Sequence, residues 1–310
     1  MPPLQRDNRF MDLVPTTPRP AAFYDGGLPP GGSRPDLPAK VMLERVEEMS
    51  GGRARESFRM LRRIAYEDEE YGELLVPADL TSFRTDFASV PTPFTWLVPR
   101  TGAHLPAALV HDGLVGGDDY VATRYPPGAD PIDRVAADLV FRRGMRDSHI
   151  PLIRRWLVWS AVTLGTIWEG SETWSRRRHL RYLVAALGSL LLVAALGVVA
   201  TLDLFDVVAW LPWMGDGRGF VLELAGGLAG AVVIPLLLGL TWGRFAIAGA
   251  VTGVALAVLL HVTVLLLGLT ALYQLAERVA RRTPIAGLVV TAVVLAASLL
   301  LTLLLVGTSG

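Results

Sequence analysis

The stretch Arg176-Arg177-Arg178-His179-Leu180-Arg181-Tyr182-Leu183-Val184-Ala185-Ala186-Leu187 divides the chain into two kinds of sequence. Residues 1–181 hold 48 of the 58 formal charges, and the 129 residues from Tyr182 to Gly310 hold ten. Four apolar runs fill the second part: 182–202, 220–241, 245–271 and 284–306. Each meets the roughly 20 residues that a helix needs to cross about 30 Å of hydrocarbon. They are apolar all round and lack the polar stripe that a soluble core helix keeps, so a bilayer suits them better than a protein interior. Inside a bilayer the backbone must satisfy its own polar groups, and helices are expected despite the many valines. The expected fold class is a small α+β soluble domain followed by an all-α transmembrane bundle of four helices.

Orientation follows from arginine placement. Arg176, Arg177, Arg178 and Arg181 stand before the first run, while the loop after it carries Asp203, Asp206, Asp216 and only Arg218. The positive-inside rule puts the N-terminal domain in the cytoplasm of a multi-pass protein of the cell membrane, inner or plasma. Arg278, Arg281 and Arg282 fall on the outer side in this topology and run against the rule, but the cluster before the first span carries more weight. No charged start, apolar run and cleavage site precede residue 182, so no signal peptide is expected. Cysteine is absent, which excludes disulfides, thiolate catalysis and cysteine metal sites. Basic and acidic residues balance in both parts, so nothing draws the chain toward nucleic acid.

The soluble part divides further. Residues 1–37, rich in proline and glycine, read as a disordered tail. Residues 38–54 read as a short amphipathic helix, with Val41, Leu43, Val46 and Met49 recurring among charges until Gly51-Gly52, plus a linker. Residues 55–168 form the domain proper. In it Phe58, Met60 and Ile64, then Leu74, Leu75 and Val76, are apolar stretches split by the acidic run Glu67–Glu70, the pattern of a hairpin or meander that Pro77 terminates. Phe83–Thr85 is a third extended piece. Residues 105–115 read as a helix with Pro106 in its first turn, and a second helix runs from Pro131 or Ile132 to Arg146. A third, with Leu152, Trp156, Trp159 and Val162 on one side, follows Pro151 to about Trp168. Residues 169–181 are a basic juxtamembrane segment that suits anionic headgroups, and 182–310 form the membrane domain.

Within the domain, Thr85-Asp86-Phe87-Ala88-Ser89-Val90-Pro91 is the most distinctive motif. Asp86 and Ser89 are spaced for an Asx-turn or a helix N-cap. His111 shares a helix face with Ala107, Ala108, Leu114 and Val115, which points its imidazole inward. Asp138 shares a face with Val135 and Phe141, so it is partly buried and needs a partner. Arg134 stands four residues before it, where an exposed pair contributes a few tenths of a kcal/mol.

The order Val76-Pro77, Thr85 to Pro91, His111-Asp112, then Arg134, Ala137-Asp138 and Phe141 resembles the DUF1353 family of bacteria and bacteriophages, over roughly residues 55–168. The resemblance implies no established activity. The family often carries a tyrosine in a form like His-Asp-x-Leu-Tyr, where this chain has His111-Asp112-Gly113-Leu114-Val115. The four apolar runs lie outside the usual domain and look like a fused membrane module.

Two readings of these residues compete, a site with chemistry and a structural network, and the second is preferred, with the first as the alternative. In one, Asp86, His111, Asp112 and Asp138 form a catalytic site: His111, Asp86 and Asp138 hold a divalent metal whose water attacks a substrate, or His111 acts as a general base, with Ser89 as a less favoured nucleophile. His111 and Asp112 point about 100° apart on a helix, which counts against both reaching one centre. In the other, the same residues form a buried polar network and the domain is an interaction or scaffolding module for an unidentified protein partner. A third reading, a small transporter or channel, rests on Glu223 and His261 within the apolar runs. The bilayer is the expected surrounding. Gly226 and Gly230, with Gly249 and Gly253, form small-residue faces that suit other spans or self-association.

Overall fold

The structure, a computed structural model, describes residues 22–50, 53–85, 102–115, 132–214 and 219–282, with Ala292 and Ala296. The chain forms two compact units, Met1–Ser89 with Arg100–Arg155, and Val90–Pro99 with Trp156–Gly310.

The first unit is α+β, as expected. Its main sheet contains β1 (Phe23–Asp25), β2 (Arg34–Pro38), β5 (Ile64–Asp68) and β6 (Gly72–Val76) in the order β2-β1-β5-β6. A second sheet pairs β3 (Leu43–Ser50) with β4 (Arg53–Met60). All neighbours are antiparallel. The apolar stretches 64–68 and 72–76 form the expected hairpin, with Ile64 opposite Val76 and Asp68 opposite Gly72.

Two expectations upstream are corrected. Residues 23–25 and 34–38 of the expected tail are strands, and β1 is the inner neighbour of β5. Tyr24 is buried, and the ring of Phe23 stacks on that of Tyr66 at 4.5 Å. The expected helix of 38–54 is instead a hairpin in which Leu43 faces Met60 and Ser50 faces Arg53. Cross-strand pairing explains this: Glu44 lies opposite Arg59 and forms an ion pair with it, a contact available to paired strands but not to a lone helix. Residues 1–21 and Gly51-Gly52 lie outside the described residues.

Helices α1 (Leu105–Val115) and α2 (Arg134–Asp147) follow. Asp133 caps α2 by accepting from the Ala136 amide at 2.8 Å. The helices cross closely at Gly144, where a Cβ would come within 3.1 Å of the Ala107 Cβ. Leu109, Val110 and Val140 join Met60, Ile64, Tyr66, Leu74, Val76 and Phe83 in one core. Helix α3 (Leu152–Glu169) begins here and continues into the second unit. It buries Trp159 as expected, but Leu152 is exposed.

The second unit adds α4 (Arg176–Leu204), α5 (Phe220–Gly239) and α6 (Ala246–Arg282), with a 3₁₀ turn at Leu240–Phe245. Two helical stretches, Arg176–Leu204 and Phe220–Leu260, are long and apolar enough to cross a membrane. The second is not straight. Gly243 has φ 60°, and a Cβ on Gly239 would meet the Ala250 nitrogen at 2.6 Å while one on Gly253 would meet Pro235 Cβ at 2.8 Å. Those contacts make α5 and α6 an antiparallel hairpin. The second and third expected spans thus lie in this hairpin, α6 runs past the expected end at 271, and of the fourth, 284–306, only Ala292 and Ala296 are described, both helical. The described elements of the unit are these three helices and the greater part of α3, and two stretches among them are of membrane-crossing length.

The Trp242 indole donates to Ser189 Oγ at 2.8 Å, which satisfies the one polar atom of a buried ring. Gly226 and Gly230 face Trp213, Gly249 faces Trp242 and Gly253 faces Pro235, so these close approaches are made within the chain. An apolar cavity of about 350 Å³ lies between α4, α5 and α6. Glu223 is buried in the first turn of α5, and the side chain of His261 lies outside the described residues.

Candidate functional site

Helices α1 and α2 run against each other, and one turn beyond the Ala107–Gly144 contact they present His111 to Asp138. The His111 Nε2 and Asp138 Oδ1 are 3.0 Å apart. The Asp138 side chain is 2% exposed and that of His111 13%. Phe141 packs beside the imidazole, ring centroids 5.2 Å apart, as its place three residues after Asp138 on α2 dictates. The second carboxylate oxygen, Oδ2, is buried and has no hydrogen-bond partner among the described residues. A buried acceptor left unpaired costs about 1–3 kcal/mol, and more when charged, so it marks a place where a donor or cation would be stabilised.

Asp112, adjacent in sequence, turns away as helix geometry requires. Its Oδ2 accepts from the Thr85 hydroxyl at 2.5 Å. Thr85 is in turn fixed by an antiparallel bridge to Phe58, with N–O distances of 2.8 and 3.0 Å. The His-Asp pair of α1 therefore reaches two places: His111 to α2, and Asp112 to the start of the Thr85–Pro91 motif. Asp86 and Ser89 lie outside the described residues. No cluster of three or more His, Asp or Glu side chains suited to a metal ion occurs among the described residues. Of the candidate residues, the structure brings His111 and Asp138 together and directs Asp112 elsewhere. The partner it gives Asp138 is His111, on the neighbouring helix.

Two further polar groups stand apart from this pair. The acidic run after β5 is met by α2: Arg143 Nε lies 3.1 Å from Asp68 Oδ2 and Arg143 Nη1 is 2.9 Å from Glu70, while Arg146 reaches Glu69 at 3.0 Å and Asp147 at 2.9 Å. The Arg143–Asp68 approach is an ion pair without hydrogen-bond alignment, since both atoms lack a partner by angle. Tyr66 donates to Asp147 at 2.9 Å, and burial, then the Asp147 charge, pushes its phenol well above the usual tyrosine range. On β1, Asp25 is fully buried and forms a two-pronged pair with Arg62, its Oδ1 also accepting from the Gly27 amide at 2.9 Å. Arg62 holds the Asp25 carboxyl below the ordinary value; burial opposes and Gly27 assists. Asp68 Oδ2 also lacks an aligned hydrogen bond, but the Arg143 guanidinium lies beside it as a counter-charge and ties α2 to the end of β5, while the Asp25 group ties β1 to the Arg62 loop. Sequence reasoning missed Thr85 as the partner of Asp112; its place at the head of the motif was the available signal.

Residues 58–162 match the family described as "Protein of unknown function (DUF1353)". The match covers about a third of the chain, from β4 into α3, and leaves out β1, β2 and β3. Comparison with curated proteins found no match, and comparison with solved structures found none.

Proposed function

We propose that this chain is a multi-pass membrane protein presenting its N-terminal domain to the cytoplasm, and that the domain is a hydrolase in which His111 is the general acid or base and Asp138 positions it. The observation that carries the reading is the 3.0 Å contact between the partly exposed imidazole and a buried carboxylate with one unpartnered oxygen. A carboxylate so placed fixes the tautomer of the ring and stabilises the imidazolium as it forms. General acid–base catalysis of this kind contributes about 10²–10⁴ in rate. In the alternative with a metal, the His111–Asp138 bond would open, and His111, Asp86 and Asp138 would hold a divalent cation that supplies an activated water. Membrane placement is supported by the two apolar stretches and by exposed side chains such as Leu191, Val221 and Leu237, which a bilayer would cover.

A second reading, an interaction or scaffolding module, is supported by the Asp112–Thr85 bond and the Arg143 group, polar contacts that lock elements together. One experiment separates the two. The full chain in lipid nanodiscs is assayed against chromogenic carboxylic esters, phosphomonoesters, phosphodiesters and anilides, with and without divalent cations. The hydrolase reading expects turnover of one class and a loss of at least about a hundredfold in a folded His111→Ala variant. No turnover of any class, with His111→Ala unfolding the domain, supports the module.

A further inference from the structure

The turn between α2 and α3 is a rigid tip. The amides of Ser148, His149 and Ile150 bond back to the Gly144, Arg146 and Met145 carbonyls at 2.9, 2.9 and 3.0 Å, and His149 takes φ 57° to make this closure. Ile150 is buried and anchors the turn. Beyond it, Pro151, Leu152 and Ile153 are exposed in succession, Leu152 at 59% and Ile153 at 76%. Consecutive large apolar side chains on a pinned turn are not the scattered single exposures of an ordinary surface.

Charge surrounds this tip. Residues 142–155 contain Arg142, Arg143, Arg146, Arg154 and Arg155 against one acid, Asp147. Arg143 and Arg146 engage the acidic run after β5, and Asp147 engages Arg146 and Tyr66. Arg154 and Arg155 follow the apolar tip directly in sequence. Burial, then the nearby charges of Arg143, Arg155 and Arg146, lowers the pKa of Arg142, so guanidinium groups are crowded here. The chain then runs from α3 into Arg176-Arg177-Arg178 at the start of α4, the first membrane-length helix.

We infer that the Pro151-Leu152-Ile153 tip is a membrane-docking site that inserts into the interfacial region of an anionic bilayer, with Arg154 and Arg155 meeting lipid phosphates. The pairing of an apolar wedge with a basic rim is complementary to acyl chains beneath negatively charged headgroups. The inference rests on the membrane reading above, and it would set the His111–Asp138 site to work on substrates close to the bilayer surface.

The absence of cysteine makes the test direct. Ile153→Cys in the full chain carries an environment-sensitive fluorophore, and the protein is reconstituted in nanodiscs of phosphatidylcholine alone or with a third of phosphatidylglycerol, each with and without a lipid-borne quencher. Leu191→Cys, on the exposed face of α4, is the companion probe. Docking predicts a blue-shifted, quenched label at residue 153 in the anionic discs and little of either in the neutral ones. Replacing Arg154 or Arg155 by glutamine should lower the lipid-contacting population about fivefold each. An unquenched label at 153 beside a quenched one at 191 overturns docking and leaves the membrane reading intact. Equal quenching at 153 in both lipids overturns the anionic recognition. No quenching at either position overturns both the membrane reading and the inference.

Discussion

Replacing Arg143 by alanine should loosen the first unit by about 3 kcal/mol. Asp68 is fully buried; its Oδ1 accepts from the Glu70 and Tyr71 amides at 3.0 and 3.1 Å, and its Oδ2 faces Arg143 Nε at 3.1 Å. Without the guanidinium, Oδ2 keeps its charge and loses its counter-charge, and breaking a buried pair from one side costs about 3–5 kcal/mol. The exposed Glu70 partner adds about 0–1 kcal/mol, and the guanidinium over the Tyr71 ring at 5.7 Å adds about 0.5 kcal/mol. The Oδ1 bonds survive, and water can enter behind the shortened side chain, which keeps the total near the lower bound. A single cysteine at Ala65, fully buried in β5, reports opening of the unit by its labelling rate. A loss of 3 kcal/mol accelerates labelling by about a hundredfold. Labelling of Arg143→Ala within threefold of its parent would refute the reasoning. The pair Asp68→Asn with Arg143→Met should recover most of the loss, because the amide keeps the Oδ1 acceptor and carries no charge.

The same labelling assay checks other parts of the account. Thr85→Val keeps the shape of Thr85 and removes the donor to Asp112, which should cost about 1–3 kcal/mol. Burial first, then the Glu73 contact, raises Tyr24, and burial, then Asp147, raises Tyr66, both above the ordinary value of 10.0. Folding therefore favours the protonated phenols: their contribution is complete below pH 10 and is lost as the pH climbs through the raised values, and Tyr66→Phe should flatten that alkaline loss. Asp25 behaves oppositely. Its pKa lies below the ordinary 3.8, so its contribution holds above that value and disappears as the pH falls through the lowered one. In the second unit, Gly239→Ala should disrupt the α5–α6 hairpin, because its Cβ meets the Ala250 backbone at 2.6 Å, whereas Gly188→Ala, with nothing within 4 Å, should leave thermal stability in detergent unchanged.

The parts of this fold that were legible in sequence are those where one periodicity holds without help. The hairpin of 64–76, the helices at 105–115 and 134–147, and the apolar α4 needed only local pattern, and Asp138 among Val135 and Phe141 announced its own burial. The strands upstream were not legible because their stability is tertiary. Phe23-Tyr24-Asp25 is three residues long and forms a strand only because β5 and the Tyr66 ring are there to receive it. At 43–50 the apolar spacing matched a helix as well as a strand, and the deciding contact, Glu44 with Arg59, lies 15 residues away in sequence. The site shows the same division. The burial of Asp138 and the divergence of His111 from Asp112 follow from helix geometry, whereas the meeting of His111 with Asp138 depends on how closely Gly144 lets α1 and α2 approach.

Whether Asp138 positions His111 for acid–base work is read from the turnover of Asp138→Asn. The full chain and the variant are compared in nanodiscs on whichever substrate class the wild type hydrolyses, at matched folded fraction by cysteine labelling. The variant should show kcat lowered by at least about a hundredfold with KM within a few-fold, because an amide cannot stabilise the imidazolium. A folded variant with kcat within twofold of the wild type would contradict it.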